Sequence, residues 1–390
     1  MRIGIVCPYT LAAAGGVQAH VLDLADSLRA EGHLVSVLAP TDGAAVPNYV
    51  YSAGHSRKIE FNGSVAPIAF SPTAVKRTRD WLKKGKFDLV HIHEPFSPSV
   101  GLFALQLARC PIVGTFHAGM SLNPIRRMFR PFLRSWARKF DQRIAVSVEA
   151  QKTLQIHEGL PSVIVPNGVW TKEYETATIN QSWQGTEDLP VFGFLGRLDD
   201  QRKGLKVMSA AIKQALAQNP KMRFLIVGPG QAKEIREDLA SYPQVEFLGP
   251  LYGEEKASFY RSITAYVAPH TGGESFGIVL VEAMAAQTLV IGADIDPFVP
   301  VLAQGKVAML FPANDSQALA DAILDASEHP QKVKQLALAG QEWAKQYDWQ
   351  VVTAQIMEVY QAALRKAQAK NPRMLEIITN FYTGIKPWNA

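Results

Sequence analysis

The sequence predicts an α/β protein made of two doubly wound halves, each built on a parallel sheet. Three observations carry that prediction. Short runs of apolar residues recur along the chain as buried strands do; the first run is followed by a glycine turn and an amphipathic stretch; and the same pattern begins again near residue 190.

The first run is Ile3 to Val6, followed by the turn Gly15-Gly16. Val17, Val21, Leu24, Ala25 and Leu28 then recur at helical spacing, and Val35 to Ala39 reads as a second buried strand after Gly32. That is a β-turn-α-β unit, the first module of a parallel sheet. Leu89 to His93, Ile112 to Phe116 and Arg143 to Ser147 are further strand candidates. The second half opens with Val191 to Arg197, a strand entering a glycine-containing loop, followed by a helix around Leu205 to Leu216 and a strand at Phe224 to Gly228. Val245 to Leu248, Ala265 to Ala268 and Leu289 to Ile291 continue the series. Two such halves imply two Rossmann-like domains with a cleft between them, at 1–168 and 169–349. The polar, aperiodic stretch from Gly168 to Pro190 reads as the linker, and a last helix at about 350–366 is followed by a tail, 367–390.

Composition agrees with this class. The chain has 390 residues, 47% apolar and 19% charged, with a mean hydropathy of −0.01. Those values exclude disordered, coiled-coil and collagen-like chains. Two cysteines, Cys7 and Cys110, cannot form a disulfide framework and suit a reducing cytosol. No stretch approaches the roughly 20 apolar residues of a membrane span, and the apolar opening is too short for a signal peptide.

The net charge of +5 divides unevenly. Residues 1–168 hold 19 Lys+Arg against 11 Asp+Glu, a surplus of +8, whereas the remainder holds 21 against 24, a deficit of −3. Two stretches concentrate the surplus. Lys76, Arg77, Arg79, Lys83, Lys84 and Lys86 surround Trp81, Leu82 and Phe87; Arg126, Arg127, Arg130, Arg134, Arg138, Lys139 and Arg143 interleave with Phe129, Phe132, Trp136 and Phe140. Cations laced with aromatics suit an anionic membrane interface, with Lys76, Arg77, Arg79, Lys83 and Lys84 as the docking residues. Nucleic acid and a plain solvated helix face are the competing readings.

The chemistry-bearing residues stand on loops after strands. Gly15 and Gly16 can bring backbone N–H groups to a phosphate at a helix N-terminus, or can be a tight turn only. Arg197 and Lys203 can clamp a diphosphate at a strand's carboxyl end, or can be solvated beside Asp199 and Asp200. Glu274 and Glu282 are eight residues apart in Gly272 to Ala283. Glu282, two turns into a helix, suits the hydroxyls of a ribose, and Glu274, at the loop mouth, suits a sugar hydroxyl or a developing positive charge. The N–H groups from Gly273 to Gly277 would face phosphate. His117 ends a strand where it can reach a sugar, although a single histidine is commonly structural. His91 and His93 alternate on a strand beside Glu94; with no third ligand clustered in sequence, they read as strand packing rather than a metal site.

Together, Gly15-Gly16, Phe116-His117, Arg197 with Lys203 and the Glu274…Glu282 spacing resemble retaining glycosyltransferase family 4, of GT-B fold, from Met1 to about Leu364. Cys7-Pro8-Tyr9, Asn62 to Ala66, His91 to Pro95 and Gly272 to Ala286 are similar to the actinobacterial phosphatidylinositol α-mannosyltransferases within that family. The resemblance implies a transferase that moves mannose from GDP-mannose to a phosphatidylinositol-type lipid at the cytoplasmic membrane face, with retention of configuration. It implies His117, Glu274, Arg197 and Lys203 as the catalytic group, with no protein nucleophile, cofactor or catalytic metal. Gly15, Gly16, Arg197, Lys203, Gly273, Glu274, Phe276, Gly277, Ile278 and Glu282 would hold the donor. Tyr9, Gln18, Asn62 and Ser64 are the polar candidates for the acceptor. Its partners would be anionic membrane lipids, a sugar nucleotide and a lipid acceptor, and not nucleic acid.

The sequence also departs from that pattern. Pro67 and Ala69 stand where the family's lipid-phosphate arginines are expected; Ala12-Ala13-Ala14 replaces an acid; and Leu251-Tyr252-Gly253-Glu254 lacks the aspartate expected opposite guanine. A UDP-sugar-dependent glycolipid glycosyltransferase and a non-catalytic nucleotide-binding membrane adaptor are therefore the alternative readings.

Overall fold

Apolar strands covered on both faces set the architecture. The computed structural model describes residues 1–13, 15–61, 64–117 and 130–370. The first unit contains Met1–Val165 and the described residues from Val352 onward, and the second is Pro166–Val351, beside the expected 1–168 and 169–349.

In chain order the first unit holds β1 (Arg2–Val6), α1 (Gly16–Ala30), β2 (Leu34–Ala39), β3 (Val50–Ser52), β4 (Arg57–Phe61), β5 (Ser64–Ile68), α2 (Pro72–Gly85), β6 (Leu89–His93), α3 (Val100–Leu107), β7 (Ile112–Phe116), α4 (Arg130–Ala137), β8 (Gln142–Ala145), α5 (Val148–Glu158) and β9 (Val163–Ile164). Seven strands form one sheet in the order β3-β2-β1-β6-β7-β8-β9, and the pairings are parallel. β4 and β5 make a separate antiparallel hairpin, which the sequence pattern did not reveal. The chain order reverses at β1, between β2 and β6, so the carboxyl ends of β1, β6 and β7 stand side by side at the switch point. α1 buries Val21, Leu24, Ala25 and Leu28 as its spacing predicts, and also His20 and Ser27. Ser71 caps α2 by accepting from Ala74 N–H at 3.1 Å, and the helix turns Ala74, Thr78 and Trp81 inward.

The second unit holds α6 (Thr171–Glu175), β10 (Val191–Leu195), a 3₁₀ turn (Gln201–Lys203), α7 (Leu205–Gln218), β11 (Arg223–Val227), α8 (Lys233–Asp238), β12 (Val245–Gly249), α9 (Gly253–Ser262), β13 (Ala265–Ala268), α10 (Ile278–Ala285), β14 (Leu289–Ala293), α11 (Phe298–Val301), β15 (Met309–Phe311), α12 (Ser316–Glu328) and α13 (Pro330–Ala344). Its six-stranded sheet runs β12-β11-β10-β13-β14-β15, again parallel. The switch point lies at β10, between β11 and β13. Apolar clusters line both faces of this sheet, one around Tyr260, Tyr266 and Phe298 and the other around Phe192, Phe224 and Met208.

Two expectations change here. The stretch 168–190 is not a free linker. Tyr174 lies in the second unit's core, α6 packs on α9 and α10, and Asn180 N–H donates to Ser262 Oγ at 2.8 Å. Its lack of period reflects turns satisfied by tertiary hydrogen bonds rather than by a repeating helix or strand. The last helix, α14 (Trp349–Lys370), is longer than 350–366. From Val352 it belongs to the first unit, where Ser27 Oγ meets Thr353 Oγ1 at 2.7 Å and Tyr360 Oη meets His91 Nδ1 at 2.7 Å.

Candidate active site

In the second unit the functional side chains come from the loops after β10 and β13, which are neighbouring strands. The loop Gly196–Gly204 is tied down by acids. Asp200 accepts from Arg202 at 2.8 and 3.0 Å and from Arg197 at 3.2 Å, and these hydrogen bonds, led by Arg202, hold its carboxyl down at about 2. Asp199 accepts the backbone N–H groups of Gln231 and Ala232 after β11. Arg197 therefore has the bland partner foreseen for it, Asp200, while remaining 64% exposed.

Lys203 does not pair with either aspartate. Its Nζ donates to Glu274 Oε1 at 2.5 Å and lies 3.3 Å from His270 Nε2. Lys203 and Glu274, expected in the donor site, are thus brought together across 71 positions of sequence. His270 was missed by sequence reasoning. Burial, then the Lys203 charge, pushes its imidazole down to about 3, so it faces the ammonium as a neutral acceptor. Gly204 makes this approach possible: with φ +71° and a Pro269 carbonyl oxygen 1.7 Å from where a Cβ would sit, only glycine fits.

The glycines of the loop before α10 also have left-handed torsions, Gly272, Gly273 and Gly277 at φ +139°, +69° and +89°. They present the helix N-terminus without a side-chain cap. Ile278 begins α10 and Phe276 is buried beneath it against Tyr347. Glu282, 7% exposed, is paired with Lys256 at 2.7 Å and takes a weaker bond from Tyr260 Oη at 3.4 Å. Each carboxylate oxygen retains acceptor capacity for a further hydroxyl. Lys256 and Tyr260 lie on α9, at i and i+4, and give no sequence signal beyond helical spacing.

In the first unit the edge residues come from β1, α1, β6 and β7. His91 is structural, as expected: its ring bonds Tyr360 Oη and, at 2.6 Å, Thr115 Oγ1 inside the core. His93 is different, and the expectation that no third histidine joins it is corrected. His93 Nδ1 lies 2.9 Å from His117 Nε2, and the His20 ring packs edge-on against both. One ring nitrogen from each of His20, His93 and His117 falls within 4.8 Å of the others. The sequence hid this because the three stand on α1, β6 and just after β7, elements adjacent only in the folded sheet. Burial drives His20 and His93 well below the ordinary histidine range. Glu94, at φ +42°, turns its carboxylate to accept His117 N–H at 2.5 Å.

The acceptor candidates divide. Tyr9 Oη meets Ser97 Oγ at 3.3 Å, and burial raises its phenol. Gln18 Nε2 donates to the Thr10 and Ala13 carbonyls, bracing the loop before α1. Gly15 is the extended N-cap of α1, where a Cβ would meet the Gln18 side chain at 2.4 Å, whereas a Cβ on Gly16 would meet nothing within 4 Å; the helix N-terminus has no side-chain cap. Ser64 pairs with Phe61 in the β4–β5 hairpin; Asn62 lies outside the described residues. Pro67 is opposite Lys58, and Ala69 N–H donates to Ser99 Oγ.

On α2, Lys76, Arg79, Lys83 and Lys84 are exposed and Arg77 is half-buried. Arg79, Lys83, Lys86 and Arg109 also line a cavity of about 560 Å³ with Leu82, Phe87, Leu107 and Cys110. The second basic stretch is not one uniform surface. Phe140 is core, Arg143 Nε donates to the Pro161 carbonyl, and Arg126 and Arg127 lie outside the described residues. Among the described residues no helix is long and apolar enough to cross a membrane.

Comparison with known proteins decides the family. Residues 14–173 match the family described as Glycosyltransferase Family 4, and residues 189–329 match Glycosyl transferases group 1. The phosphatidyl-myo-inositol mannosyltransferase of Mycolicibacterium smegmatis is 44% identical over 93% of this chain and 94% of its own. That of Propionibacterium freudenreichii is 37% identical over 93% and 95%. The chain belongs to glycosyltransferase family 4. Among solved structures, sucrose-phosphate synthase from Thermosynechococcus elongatus (TM-score 0.72, 21% identity, 92% and 98% of the two chains) shares its fold. So does Anabaena HepE solved with UDP and glucose (0.71, 20%, 93% and 100%).

This glycosyltransferase therefore carries, on the switch-point edge of each sheet, a cluster of charged and imidazole groups. The second unit's cluster, Arg197, Arg202, Lys203, His270 and Glu274, offers cations for phosphate and a carboxylate for a hydroxyl or a developing positive charge. The first unit's cluster offers imidazoles, beside an N-terminus of α1 that no side chain caps.

Proposed function

We propose that this glycosyltransferase moves mannose from GDP-mannose to a phosphatidylinositol-type lipid, with retention of configuration, at the cytoplasmic face of the membrane. The single observation that carries the reading is 44% identity over 93% of the chain to a protein named as a phosphatidyl-myo-inositol mannosyltransferase. The geometry supports it. Lys203 and Arg197 take the leaving diphosphate, whose negative charge grows as the glycosidic bond breaks. Glu274, released from Lys203, faces the sugar and opposes the positive charge that develops on it. Glu282 accepts from the ribose while Lys256 keeps its carboxylate neutralised. His117, held at its backbone by Glu94 and at its ring by His93, orients the sugar.

The leaving phosphate accepts the proton of the attacking hydroxyl on the same face, so the step requires no protein nucleophile, no cofactor and no metal. The exposed cations of α2 hold the enzyme on anionic lipid, and nucleic acid has no part in the reading. One specific observation favours a UDP-sugar donor and a neutral glycolipid instead: Pro67 and Ala69 supply no cation for a lipid phosphate. Product analysis with native lipid extract and separate GDP-mannose and UDP-glucose arms tests both. A mannolipid formed only with GDP-mannose is the expected result; turnover only with the uridine donor would overturn it.

A further inference from the structure

The three-histidine cluster at the first unit's sheet edge has a geometry that sugar binding alone does not require. His20 comes from the second turn of α1, His93 from the last position of β6, and His117 directly follows β7. Three rings from three elements converge until one nitrogen of each is within 4.8 Å of the others. Two nitrogens that share one tetrahedral ion at about 2.0–2.1 Å stand roughly 3.3–3.4 Å apart. His93 Nδ1 and His117 Nε2, 2.9 Å apart in a hydrogen bond, need to separate by only a few tenths of an ångström to reach that spacing. The His20 ring lies edge-on to His117 with its centroid 4.8 Å away, and its ligating nitrogen falls within 4.8 Å of those of the other two.

A second observation points the same way. His93 Nε2 is buried with no hydrogen-bond partner, an arrangement that is costly in a folded interior. The pair His93–His117 therefore leaves one ring nitrogen of His93 unsatisfied in the interior, and a ring flip about χ2 would present either nitrogen to an ion. Glu94 lies next to the cluster and accepts the backbone N–H of His117, which fixes where that ring starts from the chain but leaves both ring nitrogens to other partners. The donor set is three imidazoles without a thiolate, which selects zinc-like divalent ions over magnesium or calcium and leaves a fourth position open.

We propose that His20, His93 and His117 form a binding site for one divalent transition-metal ion of the zinc class, an ion that takes no part in the transfer itself. Occupancy draws His117 onto the ion and away from the sugar, so the ion inhibits the enzyme. The inhibition clause rests on the sugar-orienting role proposed above for His117; the binding site does not.

The test separates the two. Full-length protein stripped with a chelator is titrated with Co²⁺, followed by visible absorption, and with Zn²⁺ in competition with a chromophoric chelator. About one equivalent of Co²⁺ should give a low-symmetry ligand-field band that Zn²⁺ then displaces. His20→Gln and His93→Gln should each weaken Zn²⁺ binding by more than the roughly 10–100-fold that loss of an outer partner costs. His55→Gln and His329→Gln, at exposed histidines beside Asp42 and Asp325, should leave it unchanged. No band in the parent protein, or binding that survives His20→Gln and His93→Gln but disappears with the exposed histidines, overturns the site; the parent's spectrum carries no substitution, so that outcome does not depend on how the variants fold. In turnover assays Zn²⁺ should inhibit the parent and not His20→Gln. Binding without inhibition retains the site and instead removes His117 from the sugar.

Discussion

Lys203 Nζ lies 2.5 Å from Glu274 Oε1, so a cation and a carboxylate proposed for the donor are each other's partners. Both side chains are about one-fifth exposed, 19% and 21%. In the proposed reading, a diphosphate entering this edge of the sheet exchanges one anion on Lys203 for another and releases Glu274 toward the sugar. His270 marks the resting position of the amine, because its neutral ring accepts from Nζ without competing for the charge.

That exchange predicts a division of labour. Lys203→Ala should lower kcat by about 10²–10³, the loss seen when one donor to a developing anion is removed, and should weaken donor binding. Glu274→Gln should lower kcat by about 10²-fold or more while calorimetry finds donor affinity nearly unchanged. Equal losses of affinity in both variants would remove Glu274 from the transition state and place it in ground-state binding.

Glu282 and Lys256 predict a stability effect. Lys256→Met leaves the Glu282 carboxylate, 9% exposed, without its ion-pair partner. The cost should be about 2 kcal/mol, below the roughly 3–5 kcal/mol of a fully buried pair because Lys256 is itself partly exposed. Denaturant unfolding of the parent, Lys256→Met and the double variant Lys256→Met/Glu282→Gln measures it. The double variant should recover stability without recovering nucleotide affinity. A single variant as stable as the parent would show the pair to be electrostatically idle.

Buried neutral histidines predict acid sensitivity. His91 and His270 are both pushed down to about 3 by burial, and His20 and His93 are well below the ordinary value. In the unfolded chain these rings take up protons near pH 6.5, whereas the folded chain does not, so the unfolded state binds more protons and stability rises with pH across this window. Stability should be full above about pH 7 and fall as pH drops from about 6.5 toward 3, by about 1.4 kcal/mol per pH unit for each such ring. Urea midpoints measured from pH 7.5 to 4.5 follow the loss. His91→Gln should flatten the slope by about one proton; an unchanged slope would mean that His91 titrates alike in both states.

Exposed cations on α2 predict vesicle binding. Replacing Arg79, Lys83 and Lys84, all exposed, together by Gln should weaken co-sedimentation with anionic vesicles, each charge near such a surface being worth about 1 kcal/mol. The parent's binding should also fall with added salt. Equal sedimentation of parent and triple variant with phosphatidylserine vesicles counts against docking through α2.

Gly204 predicts a local failure. Gly204→Ala sets a Cβ against the Pro269 carbonyl at a φ of +71°, so the loop carrying Lys203 must shift. Thermal stability and donor affinity should both fall. An alanine variant with parental donor affinity would show that this close approach does not position Lys203.

By itself the sequence determined whatever depends on neighbours along the chain. Unbroken apolar runs such as Leu289 to Ile291 mark buried parallel strands because both faces of such a sheet are covered, so successive side chains are all buried. The restart predicted near residue 190 falls at β10, and the eight-residue spacing of Glu274 and Glu282 places one on the loop and the other in the second turn of α10. Tertiary structure alone decided what those residues meet. Lys256 reaches Glu282 across 26 positions, His270 reaches Lys203 across 67, and Thr353 on the last helix reaches Ser27 across 326. It also turned Gly168 to Pro190 from linker into packed surface and gathered His20, His93 and His117 at one edge. Periodicity is a local free energy, written one residue at a time, whereas these partners are chosen by which strands become neighbours in the sheet.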